Sequence, residues 1–419
     1  MGPIAALGSG AVCAQTIFDQ AINQADPGSL FDRTANVGVR ERPRPDWEAT
    51  GIPAGGFVVY PKVTLGAVYD DNILASQTGA ISDGIATIEP DLIIQSNWNQ
   101  NSLVLSADST YSAYGDHSNQ DSLQYAFNAL GTLDVRHNLV LTGDASYSRI
   151  LLPRTADAYD DAPGIPLLYD QAEARGGAVA DLNRFRIIVD GLVQQYDNEA
   201  GENDQGRSVS EAFRDRNTYA GEFRVDYALT PEFAIFAEEV LEQNSYSRDR
   251  FRNQFVTETS AGPNFEISHV MTAEVAAGYL TSSFSDPTAP SVGAPFGRGT
   301  IMFYPTQLVT VTLTGDEAYV DSGIPISPSY LSKKLQIQAD YELLRNLIIS
   351  ANAHGEWNSY VAVDRRDTIY GGALSATYLV NRGLGLLLTF DHESRGSTGT
   401  DAGRKFAIDT LSLAVTLQR

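Results

Sequence analysis

The run Thr218-Tyr219-Ala220-Gly221-Glu222-Phe223-Arg224-Val225-Asp226-Tyr227 decides the fold. Side chains of an extended chain alternate between two faces. Tyr219, Gly221, Phe223, Val225 and Tyr227 therefore share one face, and Thr218, Glu222, Arg224 and Asp226 share the other. In a soluble sandwich the charged face would meet water. In a closed barrel it faces the lumen, and the apolar face meets lipid. The same alternation sets Leu335, Ile337, Ala339 and Tyr341 against Lys334, Gln336, Gln338, Asp340 and Glu342. Leu123, Tyr125, Phe127 and Leu133 likewise oppose Gln124, Asn128, Thr132 and Asp134, and Leu347, Ile349 and Trp357 oppose Ser350, Asn352 and Glu356.

From Gly56 to the C-terminus this texture predicts about eighteen strands of roughly 12 to 17 residues. Their expected spans are 56–69, 85–97, 102–114, 122–136, 138–150, 169–182, 185–197, 213–229 and 232–246. The remainder are 253–268, 271–284, 294–305, 307–320, 330–344, 346–360, 364–380, 383–395 and 404–418. The connections alternate in length. His137, Asn183-Arg184, Thr230-Pro231, Arg345 and Asn381-Arg382 mark short ones, while Asp70 to Gly84, Ile150 to Leu168 and Asn198 to Ala212 are long, polar and acidic. Short periplasmic turns and long extracellular loops are the topology of a bacterial outer-membrane barrel. The expected fold is therefore all-β: a transmembrane, antiparallel, up-and-down barrel integral to the outer membrane. Leu411, Leu413, Val415 and Leu417 alternate to the C-terminus, much as the outer-membrane assembly machinery recognises in its clients, although the chain ends Gln418-Arg419 rather than on an aromatic residue.

Composition agrees. Of 419 residues, 43% are hydrophobic, and mean hydropathy is -0.18. After the first dozen residues no apolar run approaches the roughly 18 needed for a transmembrane helix. A net charge of -23 argues against nucleic acid as a partner. Twenty tyrosines and seventeen phenylalanines suit interfacial girdles. Residues 1–14 read as the remnant of a secretion signal, with Val12-Cys13-Ala14 before the cleavage point. Cleavage there removes Cys13, the lone cysteine, which suits an oxidising periplasm. Residues 15–55 are polar and Pro/Gly-rich, a periplasmic lead-in to a barrel over 56–419.

The barrel entrance carries a more specific pattern. Arg42-Pro43-Arg44-Pro45, then Gly55-Gly56-Phe57 with Pro61, then Tyr69-Asp70-Asp71-Asn72-Ile73 resemble the outer-membrane β-barrel porins of the second type, found in proteobacteria. Arg42, Pro43, Pro45, Gly55, Phe57, Pro61, Tyr69, Asp71 and Asn72 carry the resemblance. It implies an outer-membrane barrel and, for some relatives, a place among exopolysaccharide or capsule genes. It supplies no catalytic residues. Read by themselves, Asp70 to Asn72 end a strand, where their side chains can bond backbone at the start of a loop; a cation or sugar contact at the pore mouth is the sharper alternative.

Enzyme chemistry is not expected. The five histidines include His117 beside Ser118, His392 near Ser394 and His354 beside Glu356, but no Gly-x-Ser-x-Gly elbow accompanies them. No metal site or cofactor is expected either, and the acidic loop cluster Asn198-Glu199 with Glu202 to Asp204 does not fit an EF-hand. The lumen is more informative. Alternation turns Glu89, Asp91, Asp134, Asp190, Glu222, Asp226, Glu258, Asp340, Glu342 and Glu356 inward, with Asp108, Asp144, Glu266, Glu274 and Asp316. Against them stand Lys62, Arg136, Arg186, Arg224 and Lys334, so acids lead roughly three to one. Fixed negative charge on a low-dielectric wall concentrates cations. The first expectation is thus a cation-preferring channel. An exopolysaccharide conduit, with Tyr60, Tyr196 and Gln194-Gln195 as sugar contacts, is the second. A plugged structural or adhesion barrel, with the loop 150–168 or 198–212 folded inward, is the third. The expected partners are outer-membrane lipid, lipopolysaccharide, the assembly machinery, and small cations or polysaccharide in transit; alternation does not distinguish monomer from trimer.

Overall fold

The computed structural model describes residues 30–31, 36–160, 164–202, 207–287 and 289–419. The expected signal remnant, with Cys13, lies outside the described residues. Eighteen long strands form the wall. They are β1 (Phe57–Asp70), β2 (Asp83–Ser96), β3 (Ser102–Tyr114), β4 (Ser122–Arg136), β5 (Leu139–Leu151) and β6 (Leu168–Leu182). Next come β7 (Phe185–Asn198), β8 (Arg216–Thr230), β9 (Phe233–Tyr246), β10 (Gln254–Ile267), β11 (Met271–Phe284) and β12 (Val292–Thr306). The last six are β13 (Val309–Asp321), β14 (Ser329–Leu344), β15 (Leu347–Tyr360), β16 (Arg366–Asn381), β17 (Leu384–Thr398) and β18 (Phe406–Gln418). All eighteen expected strands are present, with every bound within three residues of expectation.

Each strand pairs antiparallel with the next, and β1 pairs with β18 from Lys62↔Gln418 to Asp70↔Thr410. That last ladder closes the sheet and leaves it no edge. Closure is obligatory in lipid, where each unsatisfied backbone group costs several kcal/mol (about 2–7). Pro90 in β2 and Pro263 in β10 lack the N–H a ladder requires, and pairing with the following strand is interrupted beside each.

Burial is inverted relative to a soluble protein. Leu374, Phe127 and Phe223 lie on the outer face and are 59%, 55% and 53% exposed. Asp190, Arg224, Asp226, Asp340 and Glu342 are buried on the inner face. Short turns gather at one end, periplasmic in this topology, with Asn183 in left-handed backbone (φ 59°) at a two-residue turn. Loops gather at the other.

The two faces predict opposite mutational responses. Leu374→Arg is expected to cost about 2–4 kcal/mol, as for a charge placed on lipid near the bilayer midplane. Ser375→Gln, on the cavity side one residue along, should stay within about 0.5 kcal/mol of the parent. Urea unfolding in lipid vesicles checks both, and equal costs would contradict the assignment of faces.

Candidate pore

The inner faces enclose a cavity of about 1310 Å³. Glu89, Glu222, Glu258, Lys334 and Glu356 line it directly. Asp190, Arg224 and Asp226 share the inner face of β7 and β8 but are held in ion pairs: Arg175 with Asp190 at 3.1 Å, and Arg224 with Asp226 at 2.9 Å. Arg224 also reaches Glu238 at 3.4 Å and Glu274 at 2.9 Å, and its guanidinium lies over the Phe236 ring. Asp91 pairs with Lys62 at 3.3 Å. Asp134 lies near the short-turn end of β4, exposed, with its N–H donated to Asn101 Oδ1.

Alternation missed part of the lining. Arg175, Arg216 and Arg298 face the cavity, as do Glu173, Glu238, Glu242, Asp391 and Glu393. Arg175 is embedded in Ala174-Arg175-Gly176-Gly177, where small residues give no apolar rhythm. Glu238 and Glu239 are adjacent, so one must face outward whichever parity holds. Fourteen carboxylates and eight lysines or arginines line the cavity, less than the expected three-to-one excess of acid.

Both ends are narrowed. At the loop end, the segment between β5 and β6 leans inward to the opposite rim. Asp160 binds Arg365 at 2.6 Å and Arg404 at 3.1 Å, and also Arg395. Asp157 accepts from the Gly323 N–H at 3.0 Å and the Tyr360 hydroxyl at 3.0 Å. Arg395 and Arg404 donate to the carbonyls of Thr155 and Arg154. Tyr159, buried, donates to the Leu152 carbonyl and accepts from the Leu167 N–H, pinning the segment against its own base. The other loop considered for inward folding makes a short ladder of its own, Gly201–Glu202 with Ser208–Val209.

At the short-turn end, the described part of the lead-in forms a strap inside the mouth. Phe31 packs with Ala228 and Ala234, under the Arg186 guanidinium. Val39 is buried and donates its N–H to Thr310 Oγ1 at 2.9 Å. Arg40 reaches Asp340 at 3.6 Å; Arg42 and Arg44 both reach Glu342, at 2.8 Å and 3.2 Å. The charges of Asp340 and Glu342 are thus met by the strap.

The motif residues take structural places here. Arg42, Pro43, Arg44 and Pro45 are the strap's anchor, and the Pro45 carbonyl accepts from Arg382 Nε at 2.9 Å. Gly55, at φ 65°, turns a short strand (Ile52–Ala54) back onto Phe57, whose ring meets Trp98 edge-on at 5.4 Å. The Pro61 carbonyl accepts from the Arg419 N–H across the closure, and Tyr69 faces outward. Asp71 accepts from the Asp409 N–H, and Asn72, buried, bonds backbone at Ser76 and Ala407. Asp71 and Asn72 thus make the loop contacts that the simpler reading assigns them. His117, His269 and His392 pair with Asp83, Glu266 and Asp409, and no group of three metal-ligating side chains converges among the described residues.

A closed barrel with an apolar exterior and a charged, loop-narrowed lumen is a porin-like channel of the outer membrane. Residues 44–419 match the model of the family described as "Putative beta-barrel porin 2", and the chain belongs to that family. No curated protein matches. Among solved structures it is similar to OpdK from Pseudomonas aeruginosa (10% identity, 86% of this chain and 99% of that one, TM-score 0.45). It is also similar to OccAB3 from Acinetobacter baumannii (10% identity, 87% and 100%, TM-score 0.49).

Asp160 is the latch of the inward loop. Asp160→Ala would leave the guanidiniums of Arg365 and Arg395, whose side chains are each 2% exposed, short of a shared carboxylate. Breaking a buried ion pair from one side costs about 3–5 kcal/mol, and the retained Asp367 puts this loss near the low end, about 3 kcal/mol. The loop should then undock, so that trypsin cuts after Arg154 on intact cells expressing the variant and not the parent.

Asp157 adds a pH dependence. Burial pushes its carboxyl above the usual range. Its contribution to docking is therefore complete below the ordinary carboxylate pKa and is lost as pH rises through the raised value. Acidification should lengthen channel closures in planar bilayers, and Asp157→Asn should remove that trend. Shorter closures in acid would contradict the role given to Asp157.

Proposed function

We propose that this protein is a passive diffusion channel that prefers cations. The supporting observation is an uneven lumen. Arginines gather on the β6–β12 wall, where Arg175, Arg224 and Arg298 are tied to carboxylates. Glu89, Glu356, Asp391 and Glu393 line the cavity from β2, β15 and β17, strands linked through the closure. Among the described residues, none of these four forms an ion pair with a lysine or arginine. A lane of carboxylates along low-dielectric wall draws cations and repels anions.

Of the alternatives, a sugar track has less support. Tyr196 and Gln194 line the cavity, but Tyr196 donates to Gln194 and Gln194 donates to Glu173, which occupies both. Gln195 is on the opposite face, and Tyr60 lies beside Gly51 of the lead-in. The plugged barrel draws on the strap and the latched loop; both are compatible with a gated channel.

The full chain, inserted in planar bilayers under a salt gradient, tests the reading. A reversal potential on the cation side is expected. The combined variant Glu89→Gln, Glu356→Gln, Asp391→Asn and Glu393→Gln should reduce the cation-to-anion permeability ratio by about threefold or more. A folded parent that never conducts, or a variant with unchanged selectivity, would sink the proposal.

A further inference from the structure

On the β6–β12 wall the ion pairs do not balance. Arg175, Arg224 and Arg298 between them hold five carboxylates there, Asp190, Asp226, Glu238, Glu258 and Glu274, and Glu222 is a sixth beside them. Each arginine is spent on other acids. Arg175 holds Asp190 Oδ1, Arg224 spans Asp226, Glu238 and Glu274, and Arg298 spans Glu238 and Glu258. Glu222 is left out. It is 4% exposed, lines the cavity, and neither carboxylate oxygen has a hydrogen-bond partner. Its cross-strand partner is Asp190, whose Oδ2 is likewise buried and unbonded. Three buried carboxylate oxygens on adjacent strands thus lie at the lumen wall without a hydrogen bond, with only the charges of Arg175 and Arg224 nearby. A buried carboxylate must be paired, coordinated or protonated.

We propose that Glu222 and Asp190 form a transit site for a single alkali cation. Two carboxylates, with the remaining coordination left to water, suit a weakly held monovalent ion. A divalent cation such as calcium takes six to eight oxygens, commonly from several carboxylates (about 2.3–2.6 Å), and no third ligating side chain converges here. Weak binding is also what conduction demands, because an ion held tightly blocks the path. Arg175 and Arg224, close to the pair in the same network, keep the site shallow. The site deepens the cation-channel reading and rests on it only for the ion's route to the lumen.

Glu222→Gln preserves shape and removes the charge. With rubidium chloride as the probe, bilayer conductance of the full chain should fall about threefold or more near 10 mM and stay unchanged near 1 M, where bulk ions fill the pore without help. Crystals of the parent soaked in rubidium chloride should show anomalous density between Glu222 and Asp190, lost in Glu222→Gln. If the variant does not fold, the rubidium density in the parent decides. A protonated-carboxyl infrared band that belongs to Glu222 and persists in rubidium chloride, or parent crystals without rubidium, would overturn the site. Cation selectivity without bound rubidium removes the site alone; rubidium bound in a pore without cation preference removes the channel reading and leaves the site.

Discussion

A sheet in hydrocarbon has no water to satisfy its edges, so the ladder between β1 and β18 is the contact on which the rest depends. Without it, two strands would present open rows of N–H and C=O groups to lipid. With it, the wall is complete and the inside is separated from the outside. Each strand must then place apolar residues on lipid and polar ones within, which is why Phe223 and Glu222 can be neighbours in sequence and occupy different solvents. The latch, the strap and the charged lane are all built on the inner side of that wall.

Packing charge inside has its own demands. The lumen resolves them differently on its two sides. On β6 to β12 the guanidiniums are buried, shared between several acids and stacked on aromatic faces, as Arg224 is on Phe236 and Arg216 on Tyr196. Such groups brace the wall. On β15, β17 and β2 the carboxylates of Glu89, Glu356, Asp391 and Glu393 border open cavity and, among the described residues, form no ion pair with a lysine or arginine.

Period-two alternation made the fold legible because the barrel imposes it on every strand. It located all eighteen strands and turned Glu89, Glu222, Glu258, Lys334 and Glu356 toward the cavity that they line. It was weakest where the rhythm lapses, at Arg175 among glycines and alanines and at the Glu238-Glu239 doublet. Partnering was not legible at all. Whether Asp340 lines a pore or anchors a strap depends on Arg40, 300 residues earlier in the chain, and no local pattern connects the two. The loop 150–168 was one of two candidates for folding inward, but its latch was not legible; Asp160 takes that role through arginines on three other connections and strands.

The motif residues at the barrel entrance take structural places. Arg42 and Arg44 grip Glu342, Gly55 and Phe57 form the hairpin that leads into the wall, and Asp71 and Asn72 tie β1 to β18 at the opposite rim. All lie at the seam where the barrel closes or at the mouth it closes over. In this chain those residues seal the barrel and narrow its mouth. Glu89, Glu356, Asp391 and Glu393 are apart from those contacts, at mid-strand positions that line the cavity. An exchange at those positions would leave the contacts of the seam in place, so what closes this barrel and what lines it are separate sets of residues.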